Sequence, residues 1–293
     1  MDETLYMRVP DPEIALTPLG HEQAAAAGQA IRAECEAGGA PFRVYCYYSP
    51  YLRCMQTAAG VLQAFGPEQL MGVREEPQLR EQDFANLQDD RMVLRKHDRN
   101  EFGKFFYRFQ NGESMADVYD RVTIFEDHLV RDMEAGRFGA NDAVIGASHA
   151  VNNLPPPAHV VAFPAVVTHG LTMRVFLSRW FHWTVCDAER VKNPENCAPL
   201  VLERRDALSA EEHARLRLTP GRRHTKVMYA LSTASAAVVC AADPSLASML
   251  DPRTDAASRL RASIEARVAR RAAKAEAELS GTRLQGRRQD VTP

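Results

Sequence analysis

The sequence has almost no charge excess. Its 36 lysines and arginines face 38 aspartates and glutamates, a formal net charge of −2 over 293 residues. That balance gives no global field to draw in nucleic acid or an anionic membrane, so neither is an expected partner. Long apolar runs are missing as well. No stretch approaches the roughly 18–20 apolar residues of a membrane span, and AAVVCAA near residue 240 is too short and its side chains too small. The opening MDETLYMRVPDPE is acidic and polar. It lacks the basic and apolar regions of a secretory signal, and no signal peptide is expected there. Cysteine spacing is equally uninformative of metal or crosslinks. Cys35, Cys46, Cys54, Cys186, Cys197 and Cys240 are scattered with no C-x-x-C. This excludes a zinc signature and a disulfide framework, and suits a reducing, cytoplasmic setting. No internal repeat is present.

What the chain does have is alternation. LTPLGHEQAAAAGQAIRAECEAGG reads as a helix capped by Thr17, with Pro18 in its first turn and Gly38-Gly39 as a stop. FRVYCYY is a β-branched and aromatic strand. SPYLRCMQTAAGVLQAF reads as a second helix, with Ser49 as its expected cap and Gly66-Pro67 beyond its end. MGVREEPQLREQDFANLQ is a short strand running into an irregular loop. GESMADVYDRVTIFEDHLVRDMEAG is a helix capped by Ser114, with Asp117 three residues on and Gly136 at its end. HVVAFPAVVTHG holds a buried strand, LTMRVFLSRWFHW a further helix and APLVLERR a further strand. Apolar strands alternating with helices predict an α/β domain, a three-layer sandwich with a mostly parallel sheet flanked by helices. The expected domain is residues 1–241, with an insertion at about 137–160 in the Pro-rich GRFGANDAVIGASHAVNNLPPPAH. Residues 242–293, rich in Ala and Arg with a narrow stripe of Leu260, Ile264, Val268 and Leu279, read as a solvated helix and a disordered tail.

Ligands of open parallel sheets bind beyond the carboxyl ends of the strands, and three such places carry suggestive side chains. In YYSPYLRCMQTA the strand delivers the chain to a helix N-terminus, which favours anions. Arg53 in its first turn adds a planar, bidentate grip. In LREQDFANLQ, Glu81 follows a strand and is a candidate proton donor if burial raises its pKa. In PAVVTHGLTMRVF, His169 ends an apolar run, Gly170 offers no side chain to obstruct a ligand, and a helix begins at once. His149, in AVIGASHAV, is the rival histidine. It is followed by NNLPPP, which cannot start a helix promptly, so His169 is preferred.

Taken in order, LTPLGHEQA, SPYLRCMQTA, LREQDFAN, FGKFFYRFQNGESMADVYDRV, VVTHGLTMRVFLSRWFHW and NPENCAPLVLE resemble the histidine phosphatase superfamily, also called phosphoglycerate mutase-like. REQDFAN, FGKFFYRF and THGLTMRVFLSRWF are most similar to its eukaryotic branch of broad-specificity phosphatases. The resemblance implies phosphate monoester hydrolysis through a phosphohistidine intermediate, on a small phosphorylated substrate, with no metal and no other cofactor. Carried over residue by residue, it implies that Arg53 and His169 hold phosphoryl oxygens, that Glu81 is the catalytic proton donor, and that Asn196 is a polar pocket residue in the phosphate-binding set.

Two departures from the family pattern stand out. Position 85 is Ala where the branch has Gly, and no Arg-His-Gly occurs anywhere in the sequence. That motif supplies the family's nucleophile at the end of its first strand. The resemblance therefore implies a domain without that strand, truncated at its N-terminus and inactive as written. The alternatives are a pseudoenzyme that binds a phospholigand or a protein, and a mutase-type phosphotransferase.

Overall fold

The computed structural model describes residues 3–85, 92–135, 160–205, 225–250 and 256–289. His149, Gly136 and the expected insertion, apart from residue 160, lie outside the described residues. Helix α1 (Pro18–Ala37) starts as its sequence predicts: Thr17 accepts a hydrogen bond from the Gly20 amide and Pro18 occupies the first turn. Strand β1 (Phe42–Tyr48) leads to α2 (Leu52–Leu62), and β2 (Leu70–Glu75) leads to the loop that carries Glu81. Helix α3 (Met92–Phe102) was not foreseen. Helix α4 (Met115–Ala135) has the reciprocal cap expected at Ser114, whose amide and hydroxyl both bond Asp117 while the Asp117 amide bonds back. Then come β3 (Val161–Val167) and α5 (Gly170–Trp180).

The three strands form a parallel sheet in the order β2-β1-β3. Strand β1 is central, and its side chains divide the core in two. Val44 faces Ala27, Val61, Ala64 and Phe65 from the α1 and α2 side. Tyr45 and Tyr47 face Phe125, Leu129, Leu177 and Trp180 from α4 and α5. Helices thus cover both faces, which is the three-layer α/β arrangement. Helices α1 and α2 approach closely through small residues. A Cβ on Gly28 would stand 2.5 Å from the Val61 carbonyl oxygen, and one on Gly60 would stand 2.9 Å from Ala24 Cβ.

Beyond α5 the chain turns at His182, held at φ +54°, into the short α6 (Val185–Arg190). The expected strand in APLVLERR is only β4 (Leu202–Arg204). It leaves the parallel sheet and pairs antiparallel with β5 (Tyr229–Leu231) as a separate sheet. Helix α7 (Thr233–Cys240) and the helical turn Pro244–Met249 follow. Leu246 and Met249 are buried in the same core as Tyr45 and Trp180, and Trp183 Nε1 donates to the Met249 carbonyl. Helix α8 (Ala256–Gln289) lies beyond, with Leu260, Ile264 and Val268 exposed. It is tied to the body where Arg267 Nε meets Cys186 Sγ at 3.3 Å and Lys274 meets Glu101 at 2.6 Å. No described helix is long and apolar enough to cross a membrane.

Candidate functional site

The carboxyl ends of β1 and β3 lie side by side, with Tyr48 in register with Val167. The segments that follow, Ser49–Arg53 and Thr168–Thr172, therefore meet. His169 is the N-cap of α5 with extended backbone, as the sequence predicts, and its ring turns inward, leaving it 7% exposed. Its Nε2 shares a 2.8 Å hydrogen bond with Ser49 Oγ, and Cys54 Sγ lies 3.5 Å away. This corrects the expected role of Ser49. The cap position of α2 belongs to Tyr51, which makes no side-chain cap bond, while Ser49 is fully buried against the histidine. A tertiary partner has outcompeted the local one.

Tyr51 joins two of the candidates. Its ring lies edge-on to the His169 ring at 4.9 Å between centroids, and the Arg53 guanidinium stands over it at 4.9 Å. Arg53 Nη1 donates to both the carbonyl oxygen and Oδ1 of Asp11, each at 2.8 Å.

Glu81 enters from the β2 side. Its Oε1 accepts from the Gln82 amide at 3.0 Å and lies 3.4 Å from Thr172 Oγ1. Thr172 lies in the first turn of α5, and its hydroxyl donates to the Arg80 carbonyl at 2.7 Å. The loop is clamped from α4. Arg121 donates to the carbonyls of Gln78 and Glu81 and to Glu113, which also accepts from Arg80 and from the Asp83 amide. Ala85 ends the clamped stretch at φ +92°, a left-handed conformation that a Cβ disfavours. The position where the family resemblance implies Gly is thus one where the backbone calls for it. Gly112 allows the two segments to touch, since a Cβ there would stand 3.1 Å from the Ala85 amide nitrogen.

Electrostatics follow from this crowding. Burial, assisted by the charges of Arg53 and Arg121, pushes the His169 imidazole down to about 2, so the ring is neutral. Glu81 keeps some exposed surface, but its carboxyl group is desolvated and is held above the ordinary carboxylate range. Asp11 pushes it further up, while the Gln82 amide, Arg53 and Arg174 oppose the shift. Cys54 is also pushed up to about 12 by burial, so it is a thiol and not a thiolate. The result is a neutral imidazole and a carboxyl group biased toward its acid form, with the Arg53 guanidinium acting on both.

Arg53, Glu81 and His169 are thus brought together. Asn196 is exposed in the turn it shares with Cys197, which stands at φ +59°. Asn193 is the asparagine packed on Gly170, where a Cβ would stand 2.6 Å from its Cγ. Sequence reasoning missed Asp11, Tyr51, Thr172 and Arg121. Tyr51 carried a local signal, lying between the strand end and Arg53. Asp11 carried none, being 42 residues away from Arg53. Among the described residues, no three His, Cys, Asp or Glu side chains gather as a metal site.

The sequence signature of the histidine phosphatase superfamily (branch 1) matches residues 3–153, a span that holds Arg53 and Glu81 and stops short of His169. The chain is 42% identical over 209 residues to the phosphoglycerate mutase-like protein AT74H of Arabidopsis thaliana, covering 69% of each chain. It is 40% identical over 206 residues to the phosphoglycerate mutase-like protein AT74 of the same plant, spanning 60% of that relative's length. To the broad-range acid phosphatase DET1 of Saccharomyces cerevisiae it is 39% identical over 134 residues, 34% of that protein. The solved native structure of a mycobacterial glucosyl-3-phosphoglycerate phosphatase aligns over 67% of this chain and 82% of its own, with a TM-score of 0.46 and 20% identity. On the signature and the plant relatives, the chain belongs to the histidine phosphatase superfamily.

Proposed function

We propose that this chain is the phosphate-gripping body of a histidine phosphatase acting on small phosphate monoesters. Arg53 offers a bidentate edge to two phosphoryl oxygens, and the His169 imidazole holds a third from the end of β3. Glu81, kept above the usual carboxylate range by burial, gives its proton to the departing alcohol oxygen. Cationic and neutral donors arranged before the reaction stabilise charge on the transferring group. The observation that carries this reading is the convergence of Arg53 and His169 on the Tyr51 ring, with Glu81 reaching Thr172 in the first turn of the same helix that His169 caps. The six free thiols suit a cytoplasmic setting.

The attacking histidine of the family's Arg-His-Gly motif is not in this sequence, so the chain as given binds phosphate and does not turn it over. Two features of the sheet support a place for the strand that bears it. Among the described residues no strand pairs with the outer edge of β3, and nearly every β3 residue is half-buried where β1 is buried. The β4-β5 pair also stands apart from the parallel sheet. A parallel strand beside β3 would end next to His169. The test is hydrolysis of p-nitrophenyl phosphate and trapping of labelled phosphohistidine. One sample is the chain as given and the other carries an N-terminal strand ending in Arg-His-Gly-Glu. Hydrolysis by the extended chain alone, unaffected by EDTA, is expected. Phosphohistidine on the chain as given would mean that another histidine is the nucleophile. If the extended chain binds phosphate but does not hydrolyse the ester, the protein is a phospholigand-binding pseudoenzyme.

A further inference from the structure

Arg53 is held in an unusual way for a residue that is to grip an anion. A single nitrogen, Nη1, makes both of its bonds to Asp11, one to the backbone carbonyl and one to the carboxylate. Among the described residues, Nε and Nη2 have no hydrogen bond. A guanidinium offers two nitrogens along each edge, and oxyanions are gripped best by a pair of parallel N–H groups. The Nη1 contact leaves the Nε–Nη2 edge whole. Tyr51 lies across the guanidinium at 4.9 Å and fixes its plane. With one corner tethered and the plane fixed, the free edge has one direction in which to point.

Asp11 is itself anchored. It opens the helical turn Asp11–Glu13, and the chain just beyond is pinned to α2, the helix that carries Arg53. Ile14 is 4% exposed, and the Leu16 amide donates to Gln56 Oε1 at 2.7 Å. Gln56 lies about one helical turn beyond Arg53. The tether and the residue it holds are therefore parts of one rigid unit. The ion pair is also sheltered, with side-chain exposures of 16% and 17%, so solvent screens it less than a surface pair.

We infer that Asp11 is a positioning residue of the oxyanion site: it fastens Arg53 by one nitrogen so that the opposite edge of the guanidinium stays open to the ligand. The inference rests on the reading of Arg53 as a phosphate-gripping residue. The competing possibility is that Asp11 sits in the ligand's place as a resident anion. The two accounts predict opposite signs when the carboxylate is removed.

The experiment is calorimetric titration of inorganic phosphate into the full chain and three variants, Asp11→Ala, Asp11→Asn and Arg53→Met, with thermal unfolding as the check on folding. Positioning predicts that Asp11→Ala weakens phosphate binding by about ten-fold or more, the scale of one charge-assisted hydrogen bond. Asp11→Asn keeps an oxygen acceptor and is expected within about three-fold of the wild type. Equal or tighter binding by Asp11→Ala overturns the inference, and tighter binding assigns Asp11 to the ligand's seat. If Asp11→Ala does not fold, Asp11→Ser, whose hydroxyl is too short to reach Nη1, serves with the same expectation. Arg53→Met separates the two levels. Phosphate binding lost in Arg53→Met but kept in Asp11→Ala refutes the positioning role alone. Binding unchanged in Arg53→Met, or none by the wild type, removes the reading on which it rests.

Discussion

His169 is a buried neutral imidazole, and that makes folding stability depend on pH in a way that can be worked out. In the unfolded chain a histidine titrates near 6.5. In the folded chain burial and the charges of Arg53 and Arg121 put it at about 2. Between these values the unfolded state binds a proton that the folded state refuses, so stability falls as pH falls, by up to about 1.4 kcal/mol per pH unit. The contribution is intact above pH 6.5 and is lost progressively below it. From pH 7 to pH 5 the loss works out at about 2 kcal/mol. That figure does not depend on the folded value so long as it stays well below 5. Other groups titrate in the same window, including Glu126, raised to about 7 by burial, so the test is a double difference. Urea unfolding is measured at pH 7 and pH 5 for the wild type and for His169→Gln. The wild type is expected to lose about 2 kcal/mol more than the variant over that interval. Saturating phosphate should shrink the difference, because a bound anion favours imidazolium and lets the folded state take up the proton. A double difference below about 0.5 kcal/mol would mean that His169 titrates as an ordinary solvated histidine. The buried, cation-flanked setting of the ring would then be wrong.

Three further substitutions probe the framework by urea or thermal unfolding. Ala85→Gly should stabilise the protein by about 1 kcal/mol by relieving the left-handed strain at φ +92°; a net loss would show that the strain is absent. Gly28→Ala sets a helix-propensity gain of about 1 kcal/mol against a Cβ placed 2.5 Å from the backbone oxygen of Val61. Because backbone cannot swing aside as a side chain can, a net cost of about 1–3 kcal/mol is expected, and a stabilised variant would contradict the close α1–α2 approach. Leu246→Ala should cost about 2–5 kcal/mol, since Leu246 is fully buried beside Met249; a cost under about 0.5 kcal/mol would place that turn outside the core.

Much of this framework was legible where local chemistry and tertiary structure agree. Thr17-Pro18 and the Ser114–Asp117 pair mark the starts of α1 and α4, because a cap is a contact between residues close in sequence. His169 was placed at a strand end above a helix by the change from an apolar run to Gly170 and a helical pattern, and it is the N-cap of α5. The failures arise where distant groups decide. Ser49 looks like a cap but bonds His169, 120 residues away. Strand β4 is three residues long and pairs outside the parallel sheet, which its own sequence does not encode. Helix α3 is strongly polar, RKHDRNE in its middle, and offers no apolar stripe to read. The tether of Arg53 and the Arg121 clamp on the Glu81 loop each join segments about 40 residues apart. No local pattern announces such contacts.

The most direct test of the central claim is a crystal structure of the chain soaked with inorganic phosphate. The account predicts a tetrahedral anion bonded to the Nε–Nη2 edge of Arg53, beside the His169 imidazole and within reach of Glu81. Phosphate bound elsewhere, or an empty site at saturating phosphate with Arg53 and His169 undisplaced, would contradict it.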